Sequence, residues 1–220
     1  MRLLPCAGDS RVTRVLLVRH GQTAWNREER FRGQVDVPLN DTGLKQAEAV
    51  ARRVASDWRP VAIYASSLQR TLQTATAIAR ACGLSATLHD GLLDIDYGGF
   101  AGLTPEQAAQ RYPDLAHAWR EAPHTVHFPD GESLAQVRSR AEAAWTEIVA
   151  NHPDQVVVLV THVVVCRLLL CAVLGLDNSH FWRFEPATAS ISVFKVSAGR
   201  SRLLSLNDIG HLSGCPSSFF

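Results

Sequence analysis

Val15-Leu16-Leu17-Val18-Arg19-His20-Gly21-Gln22-Thr23-Ala24-Trp25-Asn26 is the stretch whose reading decides the fold. A short apolar run that ends in a polar turn predicts a buried strand, and Thr23 to Asn26 predict the opening of a helix. In open α/β sheets, ligands sit outside the carboxyl ends of the strands, where the chain turns into a helix. The free N–H groups of a first helical turn favour an anion. Arginine offers a planar, permanently charged fork for phosphate oxygens, and neutral histidine offers a ring nitrogen as nucleophile near pH 7. Arg19 and His20 thus look like a phosphate clamp beside a nucleophile. A histidine at a strand end can equally be a core residue held by backbone, so its company must decide.

The same arrangement of strand, polar turn and helix recurs twice. Val61 to Ala65 reads as a strand, followed by a helix over Ser67 to Ala81 with Leu68, Leu72, Ala75, Ile78 and Ala79 at helical spacing and Ser66 with Gln69 as a capping box. Val156 to Val160 is a β-branched run, Thr161 and His162 interrupt it, and a buried helix follows. Val156 to Leu176 approaches the ~20 residues of a membrane span, but His162 and Arg167 near its middle would be costly there, so no membrane partner is expected.

Two further amphipathic helices are expected. One covers Thr42 to Ser56, with Leu44, Ala47, Val50, Ala51 and Val54 on one face and a cap at Asp41 or Thr42; the other covers Ser133 to Ala150, with Ser133 and Gln136 as a capping box. Ile191, Val193 and Val196 predict one more strand, and Leu203, Leu204 and Leu206 another. The pattern is α/β: a three-layer sandwich with a mostly parallel central sheet flanked by helices. Residues 1–220 read as one domain, with 90–130 inserted as a lid or binding wall and flexible tails at 1–12 and 213–220.

With 46% hydrophobic residues in 220, the chain can bury a substantial core. A net charge of +1, from 22 basic and 21 acidic residues, excludes a broad electrostatic footprint for nucleic acid. The five cysteines, Cys6, Cys82, Cys166, Cys171 and Cys215, have no metal-ligand spacing and fit a reducing compartment. Cys166 and Cys171 are expected to be buried. Leu3 and Leu4 before Pro5 are too short for a signal-peptide core, so a cytoplasmic location is the expectation.

Three strand ends thus carry Arg19 and His20, Ser66 to Arg70, and Thr161 and His162. Two arginines and two histidines at neighbouring sheet edges make an anion pocket in a chain of almost no net charge. With these residues in place, the chain resembles the histidine phosphatase superfamily, also called phosphoglycerate mutase-like. The carriers are Arg19 to Asn26; Gly33 to Asp36, Pro38, Leu39 and Gly43; Ser66 to Thr71; Asp94 to Gly98; Gly131, Glu132 and Ser133; Thr161 and His162; and Asn207, Asp208, His211 and Leu212.

The resemblance implies a phosphohistidine on His20, with Arg19, Arg70 and His162 holding the phosphoryl oxygens. Gln22, Thr23, Asn26, Gly33, Val163 and Glu132 are implied as substrate contacts, and neither metal nor cofactor is expected. Asp94 falls at the position of the general acid, where this branch usually has glutamate. Asp96 and Glu132 are possible deputies. Val163 stands where glycine commonly follows the second histidine. The implied activity is a phosphatase acting on small phosphomonoesters. A cofactor-dependent phosphoglycerate mutase is the alternative, made less attractive by Ile95 and Asp96 after the acid, and a catalytically weak phosphate-binding scaffold is the second alternative. The substrate and the oligomeric state, a dimer among the options, stay open.

Overall fold

The structure, a computed structural model, describes residues 12–214. The expected tails, with Cys6 and Cys215, lie almost wholly outside the described residues. Six strands form one sheet in the order β3-β2-β4-β1-β5-β6, with β1 Thr13–Arg19, β2 Ala62–Ala65, β3 Ala86–Leu88, β4 Val156–Thr161, β5 Ile191–Ser197 and β6 Arg200–Asp208. The β3-β2, β2-β4 and β4-β1 pairs are parallel, whereas β5 is antiparallel to both β1 and β6. Only β5 therefore runs against the rest, and the sheet is mostly parallel. Its edge strand β3, three residues long, carries no periodic signal in the sequence.

Side chains alternate across a strand, so each central strand feeds two cores. Val15 and Leu17 of β1 with Val157 and Leu159 of β4 pack on one face beneath α6 Leu134–Asn151 and α7 Val163–Val173. Leu16, Val18, Val158 and Val160 pack on the other, beneath α2 Asp41–Asp57 and α3 Gln69–Cys82. The apolar runs are continuous because both faces are covered. Among the described residues no helix is long and apolar enough to cross a membrane.

The helix caps are local at α6 and α2 and tertiary at α3. Helix α6 starts on the expected Ser133–Gln136 box. Helix α2 is instead capped by Asn40, whose Oδ1 accepts from the Gly43 N–H at 2.8 Å. Helix α3 begins at Gln69 without a side-chain cap on Leu68, and Asp36 from a distant loop accepts the Gln69 N–H at 2.7 Å. Ser66 is thereby left available for the site. Leu44 and Leu72, expected on buried faces, are 45% and 36% exposed. Both sit at the margin of an apolar stripe, which helical spacing alone does not resolve from its centre.

Gly43 lets the start of α2 touch the loop after β1, since a Cβ there would lie 2.0 Å from the Gln22 carbonyl oxygen. Backbone against backbone cannot yield. Gly43→Ala is expected to lower stability by about 1–3 kcal/mol, read from urea unfolding, the range for overpacking a close contact. An unchanged midpoint would remove this contact as a constraint.

Residues 90–130 form short helices α4 Pro105–Arg111 and α5 Pro113–Glu121 with 3-10 turns before and after them. Phe100 and Phe128 are fully buried in the same core as Val15 and Leu17. The segment is a packed wall, held by edge-to-face contacts of Phe128 with Tyr97 at 5.0 Å and Trp119 at 5.1 Å.

Candidate active site

Strand register assembles the pocket. Arg19 faces Thr161 across β1 and β4, the His20 N–H donates to the Thr161 carbonyl at 3.0 Å, and Ala65 of β2 pairs with Val160. His20, Ser66 and His162 therefore leave three adjacent strand ends together. Arg19, His20, Ser66, Arg70 and His162 are all fully buried. The two imidazoles meet edge to face with centroids 5.2 Å apart.

The hydrogen bonds fix which nitrogen does what. His20 Nδ1 lies 2.7 Å from the Gly21 carbonyl, which can only accept, so Nδ1 carries the proton. Nε2 is buried without a hydrogen-bond partner and keeps its lone pair. In His162, Nδ1 accepts from Arg70 Nε at 3.2 Å, which leaves Nε2–H to donate to Ser66 Oγ at 2.8 Å. Arg70 also donates to the carbonyls of Val35 at 2.9 Å and Gly33 at 2.6 Å and to Asp94 Oδ2 at 3.3 Å. Arg19 Nη1 is anchored on the Pro186 carbonyl at 2.7 Å.

The residues near the carboxyl end of the chain brace this loop from behind. Asn207 accepts from the Ala187 N–H, His211 donates to the Ala189 carbonyl, and the Ala189 N–H donates to the His20 carbonyl at 3.1 Å.

Burial, reinforced by the Arg70, Arg19 and Arg32 charges, holds His20 well below its ordinary pKa; His162 is lowered likewise by burial, Arg70 and His20. Both rings are thus neutral bases at neutral pH. Burial brings Arg19 down to about 9 and Arg70 to about 10, which leaves both charged. Asp94 moves the other way: burial raises it against the opposing pull of Arg70 and Arg32. A base with a free lone pair and an acid inclined to keep its proton occupy one pocket. The first-turn N–H groups of α7, with His162 at its N-cap, add positive potential.

The loop that carries Asp94 is tied to α6 and β4. Arg140 of α6 donates to the carbonyls of Leu93 at 2.6 Å and Asp94 at 2.8 Å, and Thr161 Oγ1 donates to Leu92 at 2.7 Å. Glu132, a possible deputy in sequence, holds Arg140 with both oxygens at 2.9 Å and accepts from the Asp96 N–H. Burial tends to raise Glu132, yet Arg140 and the Asp96 N–H bring it below its ordinary value. Asp96 accepts from Gly98. Both deputies are therefore engaged in holding the Asp94 loop. Arg140→Met is expected to cost about 2–3 kcal/mol in urea unfolding by orphaning these acceptors, and to lower turnover with it.

The implied contacts fall in two groups. Gly33 and Val163 line a cavity of about 400 Å³ that also holds Asp94. Gln22, Thr23 and Asn26 are buried and bonded locally: Gln22 links to Gln46 and Asn40, while Thr23 and Asn26 form the reciprocal capping box of α1 Ala24–Arg27. Sequence reasoning missed Arg32, Arg140 and Arg167. Arg32 directly precedes the quoted Gly33 to Asp36 but reads as a loop charge, and Arg167 reads as the odd residue of an apolar helix. Arg167 stacks on Phe181 and Trp182 at 5.0 and 4.6 Å, and its Nε donates to the Phe184 carbonyl. Among the described residues no group of three His, Cys, Asp or Glu side chains is placed to hold a metal ion.

A buried histidine with a free lone pair lies with two arginines and a second histidine at the ends of parallel strands, and the chain belongs to the histidine phosphatase superfamily (branch 1), whose model matches residues 15–209. It is 38% identical over 201 residues to phosphoserine phosphatase 1 of Hydrogenobacter thermophilus, covering 91% of this chain and 95% of that one. It is 32% identical over 207 residues to a metal-independent phosphoserine phosphatase of Arabidopsis thaliana, covering 93% and 85%. Among solved structures, YhfR of Bacillus stearothermophilus superposes with a TM-score of 0.87 at 29% identity, covering 91% of this chain and 99% of that one.

Proposed function

We propose that the chain is a phosphatase that hydrolyses small-molecule phosphomonoesters through two in-line displacements at His20. His20 Nε2 attacks phosphorus, the P–O ester bond breaks, and protonated Asp94 gives its proton to the departing alkoxide. Water then attacks the phosphohistidine, Asp94 takes a proton from it, and phosphate leaves with His20 neutral again. Arg19, Arg70, His162 and the amino end of α7 hold the equatorial oxygens, where charge spreads in the transition state. The observation that carries this reading is the buried, unpartnered Nε2 of His20, fixed in tautomer by the Gly21 carbonyl.

Relatives named as phosphatases support hydrolysis over isomerisation. So does the engagement of the residues after Asp94 in holding their own loop. One domain with residues 90–130 as its wall, a cytoplasmic location, and no nucleic-acid or membrane partner belong to the same reading. The free Cys82, Cys166 and Cys171 agree with a reducing compartment. The test is a panel of phosphomonoesters beside 3-phosphoglycerate with its bisphosphate. Release of inorganic phosphate is expected; isomerisation without release would make the protein a mutase, and inertness toward all of them a binding scaffold.

A further inference from the structure

Ser66 and Thr71 take no part in bond making, yet both are fully buried behind His162, Ser66 just after β2 and Thr71 in the first turn of α3. They continue inward from the ring as a chain of short hydrogen bonds: His162 Nε2 to Ser66 Oγ at 2.8 Å, Ser66 Oγ to Thr71 Oγ1 at 2.7 Å, and Thr71 Oγ1 to the Leu68 carbonyl at 2.7 Å. The far end fixes the direction of every link. A carbonyl only accepts, so the single hydroxyl proton of Thr71 points to Leu68, with the Ser66 carbonyl as its second acceptor at 3.2 Å. Thr71 Oγ1 then accepts from Ser66, and Ser66 Oγ accepts from His162 Nε2–H. The near end agrees independently, because Arg70 Nε can only donate and meets His162 Nδ1 at 3.2 Å. Arg70 and Thr71, adjacent on one helix, thereby govern both nitrogens of the ring.

We propose that Ser66 and Thr71 form a one-way hydrogen-bond relay that positions His162, holding its Nδ1 toward the phosphoryl site and keeping an acceptor on Nε2–H when the ring takes up a second proton. Nδ1 is the nitrogen on the pocket side: it lies 3.7 Å from Asp94 Oδ2, and Asp94 lines the cavity. A neutral ring presents a lone pair there, so His162 donates to a phosphoryl oxygen only after Nδ1 gains a proton. That proton comes from the P–OH of a monoanionic ester, which is left as the bound dianion, or from solvent when the dianion itself binds. In the free protein, burial, Arg70, His20, Arg32 and Arg140 oppose a charge on the ring, and Asp94 is the acid that faces it. The anionic phosphoryl group reverses the balance. The imidazolium then has two N–H donors and needs two acceptors, the phosphoryl oxygen on one side and Ser66 Oγ on the other. Without Ser66 Oγ the buried Nε2–H is left unpaired and the ring is free to turn.

The relay rests on the phosphatase reading for its effect on turnover alone, and its test separates the two. In the full chain labelled with heavy nitrogen, magnetic resonance of the His162 ring, identified by the signals missing from His162→Gln, is expected to show the proton on Nε2 in the free protein and protons on both nitrogens with inorganic phosphate bound. Ser66→Ala is expected to lose the solvent-protected Nε2–H signal and to lower kcat by about 10- to 100-fold, the cost of a misplaced contact to the reacting group. Ser66→Thr, which keeps a hydroxyl, is expected to recover most of both. A proton on Nδ1 in the free wild type, or a Ser66→Ala protein with either wild-type ring signals or wild-type kcat, would overturn the relay. Should Ser66→Ala fail to fold, Thr71→Val leaves the Ser66 hydroxyl free to turn toward Nε2 and is expected to give mixed tautomers; a single Nε2–H form there would also overturn it. The expected ring signals with no phosphate release from any ester would sink the phosphatase reading and leave the relay standing, whereas phosphate release with Nδ1 protonated in the free protein would do the reverse.

Discussion

His20→Ala is expected to abolish phosphate release, lowering kcat by about four orders of magnitude or more, the scale on which enzymes lose activity when a covalent nucleophile is deleted. Its Nε2 is the pocket's unpartnered base, and His162 beside it cannot take over, because it has one nitrogen on Arg70 and the other on Ser66. A labelled phosphoryl group, trapped by alkaline quench, should appear on the wild-type protein as an alkali-stable, acid-labile adduct and be missing from the variant. Undiminished labelling in His20→Ala would move the nucleophile elsewhere. The same variant carries a stability signature. The folded pKa values of His20 and His162 lie below their ordinary value, so below pH 6.5 the unfolded chain binds protons that the folded chain refuses. Stability therefore falls as pH drops through that range, and in phosphate-free buffer the melting temperature of His20→Ala should fall less steeply than that of the wild type.

Asp94→Asn should discriminate between leaving groups. An alkoxide needs a proton as it departs, so kcat/KM for an alkyl phosphate is expected to fall by about 10²- to 10⁴-fold, the usual contribution of a placed general acid. An aryl phosphate with an acidic phenol departs unaided, and the first displacement should be nearly spared. Hydrolysis of the phosphohistidine still lacks its base, so the variant is expected to release one phenol per active site in a burst and then turn over slowly. The pH dependence follows from the raised pKa of Asp94. The protonated form is the working acid, so wild-type kcat/KM for alkyl esters declines as pH rises through that value, and the decline should vanish in Asp94→Asn. Equal losses on alkyl and aryl esters without a burst would assign Asp94 to holding Arg70 and His162, which it approaches at 3.3 and 3.7 Å, instead of to proton transfer.

Much of this site is written as residue type at strand ends. Val15 to Val18 and Val156 to Val160 declare buried strands through continuous apolar runs, and polar residues directly after such runs stand at the ligand-binding edge of the sheet. Arg19, His20, Arg70 and His162 were legible for that reason. Arg32 and Arg140 were not, since a lone charge in a loop or on a helix reads as solvated until its burial and partners are known. Glu132 illustrates the converse. Its acidity suits a proton donor, and only the two bonds to Arg140 reveal that it holds a loop.

The caps divide in the same way. Ser133 and Gln136 cap α6 through neighbours in sequence, whereas α3 takes its cap from Asp36, 33 residues away.

By itself the sequence determined the layered α/β architecture and the two arginines and two histidines of the pocket, because local periodicity and the polarity of strand ends depend on near neighbours alone. Tertiary structure decided the tautomers of His20 and His162, the anchoring of the Asp94 loop by Arg140, and the burial of Arg32. Each of these depends on which distant backbone or side-chain groups are within about 3 Å, the reach of a hydrogen bond, and no spacing along the chain encodes that.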